Sequence, residues 1–171
     1  MEERTGQVTL KGNPITLLGP RIDPNEDAPE FSVLKNLATP ATLSETTGKV
    51  RVLLSVPSLD TPVCSQEAKR FNDEAAKLGD DVLVQVISVD TPFAMSRWCA
   101  AEGVNNVQVL SDFRDRDFGT KYGVEIKGLG IYCRAAFVID RQGVVLYSEY
   151  VPEVAEEPDY DAILDHARNA V

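Results

Sequence analysis

The stretch that decides the fold runs from Val50 to Gly79, VRVLLSVPSLDTPVCSQEAKRFNDEAAKLG. Val50 to Val56 is an apolar run rich in β-branched side chains, and Pro57, which cannot donate to a strand ladder, ends it. Thr61 then offers an N-cap, and Pro62 fits the first helical position, where its missing N–H costs nothing. From there Cys64, Ala68, Phe71, Ala75 and Leu78 recur at helical spacing, and Gly79 is a stop signal. This is the strand–helix unit of an α/β protein.

Downstream, the pattern repeats. Val82 to Val89 is a second apolar run. Thr91-Pro92 renews the start signal for a helix over Phe93 to Ala101, and Gly103 stops it. Val107 to Leu110 reads as a short strand, and Ala135 to Ile139 with Val144 to Tyr150 as a hairpin around Arg141-Gln142-Gly143. A last helix places Tyr160, Ile163, Leu164 and Ala167 on one face. Upstream, Val8 to Leu10 and Ile15 to Leu18 flank the turn residues Lys11-Gly12-Asn13-Pro14, and Arg21 to Pro29 reads as a loop. The series predicts a mixed central sheet with helices on both sides and an N-terminal β-hairpin, all within one domain of 171 residues.

Composition narrows the function. An apolar fraction of 43% and a charged fraction of 26% are those of a globular protein. With 17 Lys and Arg against 27 Asp and Glu, the net charge is −10, and no basic stripe offsets it, so nucleic acid is not an expected partner. No apolar run reaches the roughly 18 residues of a membrane span, and Met1 to Leu10 lacks the pattern of a secretory leader. A soluble, cytoplasmic protein is expected. The three cysteines, Cys64, Cys99 and Cys133, form no Cys-x-x-Cys pair, and His166 is the only histidine. That fits neither a secreted disulfide scaffold nor a metal centre, and no metal or other cofactor is expected. His166, in a surface helix, reads as structural or solvated.

Cys64 falls at about the third helical position, where backbone N–H groups lack intrahelical partners and the helix dipole favours a thiolate. Thr61 can turn its hydroxyl towards that sulfur. Equally, Cys64 can be a small apolar residue on a buried helix face. Cys99, 35 residues downstream, lies between Trp98 and Ala100 on the second helix, where a buried residue beside a core Trp is the plainer reading. Cys133 opens a core strand and receives no catalytic role.

SVPSLDTPVC (Ser55 to Cys64) resembles the peroxiredoxin signature Pro-x-x-x-Thr-x-x-Cys. TPFAMSRWCAAEGVNNVQVLSDFR (Thr91 to Arg114) is similar to the matching stretch of the bacterial thiol-peroxidase subfamily, which keeps its second cysteine in this helix. The hairpin around Gly12-Asn13-Pro14, and Val151-Pro152-Glu153 with Glu157-Pro158-Asp159-Tyr160, fit the same pattern, so the resemblance covers nearly the whole chain. It implies a thioredoxin-like fold with Cys64 as the peroxidatic cysteine, Cys99 as the resolving cysteine and an intramolecular Cys64–Cys99 disulfide. It also implies that Thr61 bonds the reacting sulfur, that Arg134 is the active-site arginine and that Pro57 shields the pocket. The implied substrates are hydrogen peroxide and organic hydroperoxides, the reductant thioredoxin, and the assembly a homodimer.

Thiolate formation alone explains little of such a reaction. A free cysteine of pKa about 8.5 is about 3% ionised at pH 7, and lowering any thiol to about 6 multiplies the thiolate roughly thirty-fold. The accompanying loss of nucleophilicity returns roughly ten-fold. Positioning and charge stabilisation must supply the rest, and a fork of guanidinium donors suits that task. A general disulfide oxidoreductase would want Cys-x-x-Cys, but Ser65-Gln66-Glu67 follow Cys64; a partner five residues on would be Lys69, and no cysteine follows Cys133. A redox sensor using the same thiol switch stays open on sequence grounds.

Overall fold

The computed structural model describes all 171 residues. In chain order the elements are β1 (Glu3–Leu10), β2 (Asn13–Leu18), β3 (Ser32–Leu34), β4 (Pro40–Thr42), β5 (Val50–Ser55), α1 (Pro62–Leu78), β6 (Val82–Ser88) and α2 (Pro92–Glu102). There follow β7 (Gln108–Ser111), α3 (Asp117–Lys121), β8 (Glu125–Ile126), β9 (Ala135–Ile139), β10 (Val145–Tyr150) and α4 (Tyr160–Asn169). Seven strands form one mixed sheet in the order β10-β9-β5-β6-β7-β3-β4. The β5-α1-β6-α2-β7 series supplies its parallel centre, and β9 pairs antiparallel with the other edge of β5. This is the expected mixed sheet of the thioredoxin-like class.

Every residue of β5 is buried, as a strand covered on both faces must be. One face carries Val50, Val52 and Leu54 under Ala68 and Phe71 of α1, Met95 and Trp98 of α2, and Ile163 and Leu164 of α4. The opposite face carries Leu53 and Phe137 under Phe118 of α3, Tyr122, Tyr132, and Val8 and Leu17 of the hairpin. Helices thus lie on both sides, with the three longer ones on a single face. No helix is long and apolar enough to cross a membrane.

The hairpin turn is tighter than the sequence implies. Leu10 pairs with Asn13, leaving only Lys11 and Gly12 in the loop, with φ of 50° and 79°. Two consecutive positive φ angles make the type I′ turn whose twist matches paired strands. Thr9 N donates to the Pro152 carbonyl at 2.8 Å, and Val154 N to the Thr9 carbonyl at 2.9 Å. The hairpin tip is thereby stitched to the segment before α4.

Its other end is held by Arg4, which is only 7% exposed. Arg4 Nε donates to the Gly19 carbonyl at 3.0 Å, Nη1 to Gln7 Oε1 at 2.8 Å and Nη2 to the Gly123 carbonyl. Its guanidinium lies 4.9 Å from the Tyr150 ring centroid. Replacing Arg4 by Met keeps an apolar stem but leaves two buried carbonyls without a donor. We expect Arg4→Met to lower unfolding stability by about 2 kcal/mol and to speed amide exchange in β1 and β2. An unchanged denaturant midpoint would show that the hairpin is not anchored there.

Candidate active site

β5 ends at Ser55, and its apolar run delivers Val56 and Pro57 to the carboxyl end of the sheet. Such an edge, outside the carboxyl ends of parallel strands, is where open α/β sheets place their sites. α1 starts there with Thr61 as N-cap and Pro62 at its first position. Its first intrahelical bond runs from Ser65 N to the Thr61 carbonyl at 3.0 Å, so the Val63 and Cys64 amides precede the hydrogen-bonded ladder.

Cys64 is fully buried, on the face of α1 that carries Ala68 and Phe71. Its sulfur accepts a hydrogen bond from Arg134 Nη2 at 3.3 Å. Arg134 immediately precedes β9, which lies beside β5, and the sheet thereby brings it across to α1. The guanidinium is 2% exposed, and each of its nitrogens has a partner. Nε and Nη2 donate to the Val154 carbonyl at 3.2 and 3.1 Å, and Nη1 pairs with Glu67 Oε2. Burial works against its charge, but Glu67 and Cys64 together outweigh that, and Arg134 holds its proton more tightly than an ordinary arginine.

Glu67 was not among the residues expected from the sequence. It lies one helical turn beyond Cys64 and is fully buried, and its Oε1 has no hydrogen-bond partner. Burial pushes its carboxyl up to about 7 against the pull of Arg134. The signal that could have found it is a carboxylate next to Ala68 on an otherwise apolar helix face. A charge there requires a buried counter-charge.

Above this cluster opens a cavity of about 430 Å³. Pro57 from the loop after β5 and Pro62 and Val63 from the start of α1 form one wall, and Leu10 and Lys11 from the hairpin tip another. Val154, Ala155 and Ile131 close it, with Thr61 and Arg134 among its polar lining groups. Cys64 is not in the wall; Arg134 connects its sulfur to the cavity.

Thr61 departs from its expected place. Its hydroxyl donates to the Ser58 carbonyl at 2.8 Å rather than to the Cys64 sulfur, and its side chain makes no cap bond. The physical reason is local: Thr61 N also reaches the Ser58 carbonyl, at 3.1 Å, and the hydroxyl closes the same turn.

Cys99 lies half-buried on α2, packed against the same core cluster as Cys64, and all three cysteines are free thiols. Burial pushes the Cys99 thiol up, so in this arrangement it keeps its proton at neutral pH. Cys133 sits just before β9, not within it, in the core on the opposite face of the sheet from Cys64. Burial pushes its thiol up to about 12. His166 is exposed on α4, its Nδ1 2.7 Å from the Ala162 carbonyl oxygen, away from the cluster.

Comparisons with known proteins identify the family. The Redoxin family model matches residues 23–164. The chain is 48% identical over 159 residues to a thiol peroxidase of Oceanobacillus iheyensis, covering 93% of this chain and 96% of that protein. It is 45% identical over 165 residues to a thiol peroxidase of Bacillus subtilis, covering 96% and 98%. A peroxiredoxin-like protein from Aquifex aeolicus superposes with a TM-score of 0.90 at 43% identity, over 98% of this chain and 99% of that one. The chain therefore belongs to the Redoxin family, as a peroxiredoxin-type oxidoreductase of the thiol peroxidase group.

Proposed function

We propose that the chain reduces hydroperoxides with Cys64 as the attacking thiolate, Arg134 as the donor that handles its charge, and Cys99 as the resolving thiol. The observation that carries this reading is one guanidinium that touches the Cys64 sulfur and also lines the apolar cavity. The cavity's Pro, Val and Leu walls would take the organic part of an alkyl hydroperoxide as well as hydrogen peroxide itself.

In the first step the Cys64 thiolate attacks the terminal oxygen of ROOH. The O–O bond breaks, its electron pair leaves with RO⁻, and a proton completes ROH. The sulfur, oxidised by two electrons, becomes a sulfenic acid. Arg134 stays charged throughout and presents more than one donor, so it can hold the thiolate and meet negative charge on the departing oxygen. Cys64 is fully buried, and Arg134, which touches its sulfur and lines the cavity, marks the side from which the peroxide reaches it. Pro57 shields the sulfur from the solvent side. The Thr61 hydroxyl, which donates its hydrogen bond to the Ser58 carbonyl, keeps acceptor capacity for the peroxide O–H.

In the second step Cys99 attacks the sulfenic sulfur, an S–S bond forms and water leaves. An external dithiol, thioredoxin by the family resemblance, then restores both thiols and is itself oxidised to a disulfide. The reading places this chemistry in one domain, working as a homodimer in the cytoplasm.

Peroxide consumption coupled to thioredoxin and its reductase tests the assignment. Cys64→Ser should abolish turnover. Cys133→Ala, which buries no new hydroxyl, should retain it within about two-fold. Full activity in Cys64→Ser would sink the mechanism.

A second expectation concerns the donor fork. Arg134→Lys keeps the charge but cannot serve Cys64, Glu67 and Val154 at once. Losing one charge-assisted hydrogen bond costs about 1.5–3 kcal/mol, so the second-order rate with peroxide should fall about ten-fold or more. A wild-type rate in Arg134→Lys would mean that the charge is handled elsewhere.

A further inference from the structure

We infer that Asp90 is a positioning residue that holds the start of the Cys64 helix in its peroxide-reactive form and must release it before the disulfide can close. The inference rests on the Cys64–Cys99 cycle proposed above.

Asp90 lies between β6 and α2, directly before Thr91, the N-cap of α2. Its half-buried carboxylate reaches back to the loop that precedes α1. Oδ1 accepts from Ser58 Oγ at 2.7 Å, and Oδ2 accepts from Leu59 N at 2.9 Å and from Ser88 Oγ at 2.7 Å. Ser58 in turn organises the turn into α1. Its carbonyl accepts from Thr61 N and Thr61 Oγ1, and its Oγ from Asp60 N at 3.2 Å. A single carboxylate therefore fixes the entry to the Cys64 helix from the entry to the Cys99 helix.

That entry cannot stay fixed through the cycle. The α2-facing stripe of α1 is marked by Ser65, whose Oγ accepts from Trp98 Nε1 at 3.3 Å, and by Lys69, paired with Glu102 at 2.9 Å. Cys64 is about 100° around the helix from Ser65, facing the sheet and Arg134. Cys99 is likewise about 100° from Trp98. Both are free thiols, neither of them part of these inter-helix bonds, whereas a disulfide needs its Cα atoms within about 7 Å. The first turn of α1 must unwind, and the bonds that oppose this are those from Ser58 and Leu59 to Asp90. A further link near this end, Asp60 to Arg97 at 3.2 Å, is solvent-exposed and contributes little.

Weakening the clamp should therefore favour the unwound form. Asp90→Asn removes the charge and one of the two carboxylate acceptors. Ser58→Ala removes a single bond and is the milder variant should Asp90→Asn fail to fold. Trp98 is the only Trp, and stopped-flow emission should resolve two phases, one proportional to peroxide concentration and one independent of it. We expect the concentration-independent phase, disulfide closure, to accelerate about ten-fold in Asp90→Asn and less in Ser58→Ala, with no gain in the peroxide-dependent phase. At high peroxide a second ROOH can oxidise the sulfenic acid to sulfinic acid, releasing ROH. Faster closure should cut the fraction of Cys64 carrying two added oxygens by a similar factor, read by mass spectrometry. A merely structural residue would lower the melting midpoint without altering this partition. If the Cys64–Cys99 bond forms in wild type, and closure and sulfinic acid yield are unchanged in a folded variant, the clamp is refuted and the cycle stands. If wild type forms no Cys64–Cys99 bond, the cycle fails and the clamp's role fails with it.

Discussion

Arg134 is a guanidinium buried at the end of an apolar sheet, and the surrounding structure is arranged to keep it there. An unpaired charge in such a place would cost several kcal/mol. Glu67 supplies the counter-charge from the second turn of α1, and the Val154 carbonyl takes two further donors. Val154 is itself fixed, because its amide donates to Thr9 at the tip of the N-terminal hairpin. Three remote parts of the chain therefore converge on one side chain. What remains of the donor fork points at the Cys64 sulfur. The hairpin, which looks like an appendage in the topology, is thus part of what orients the guanidinium.

The sheet explains why the three cysteines differ. Cys64 and Cys133 are both fully buried, yet they belong to different core clusters on opposite faces. Only Cys64 meets a cation. Cys133 sits in the apolar core, where burial outweighs the pull of Arg4 and Arg134 on its thiol, and it does not line the cavity. Cys99 takes an intermediate position: half-buried, protonated and on a separate helix. A thiol that keeps its proton is a poor nucleophile until its surroundings change.

The β5-α1-β6-α2 series was legible because each strand is a continuous apolar run and each helix opens on Thr-Pro and closes before Gly. Some short elements were not. β3 and β4 are SVL and PAT, and α3 is DFGTK, all too short to show a period. Cys64 was visible through the helix start, but Arg134 reached attention only through family resemblance, since nothing local marks an arginine before a strand. Glu67 and Asp90 carry the opposite lesson. Each is a carboxylate whose partner lies dozens of residues away, so its task exists only once the sheet has brought the helix starts together. The resemblance implies a bond from the Thr61 hydroxyl to the sulfur, whereas here that hydroxyl donates to Ser58 in its own turn.

The proposed cycle makes opposite demands on α1. Reaction with peroxide needs Cys64 held against Arg134, and closure of the disulfide needs it released. The bonds around α1 fall into two sets that differ in strength and in place. Ser58 and Leu59, ahead of the helix, hang on Asp90 through half-buried hydrogen bonds that water can replace. Glu67, one turn after Cys64, is locked to Arg134 in a fully buried ion pair, whose disruption would strand a charge. Unwinding from the N-terminal end therefore meets weak resistance up to Cys64 and strong resistance immediately beyond it. The same ion pair that aims Arg134 at the sulfur thus limits how much of the helix has to unfold, and it keeps the cation in place for Cys64 to return to.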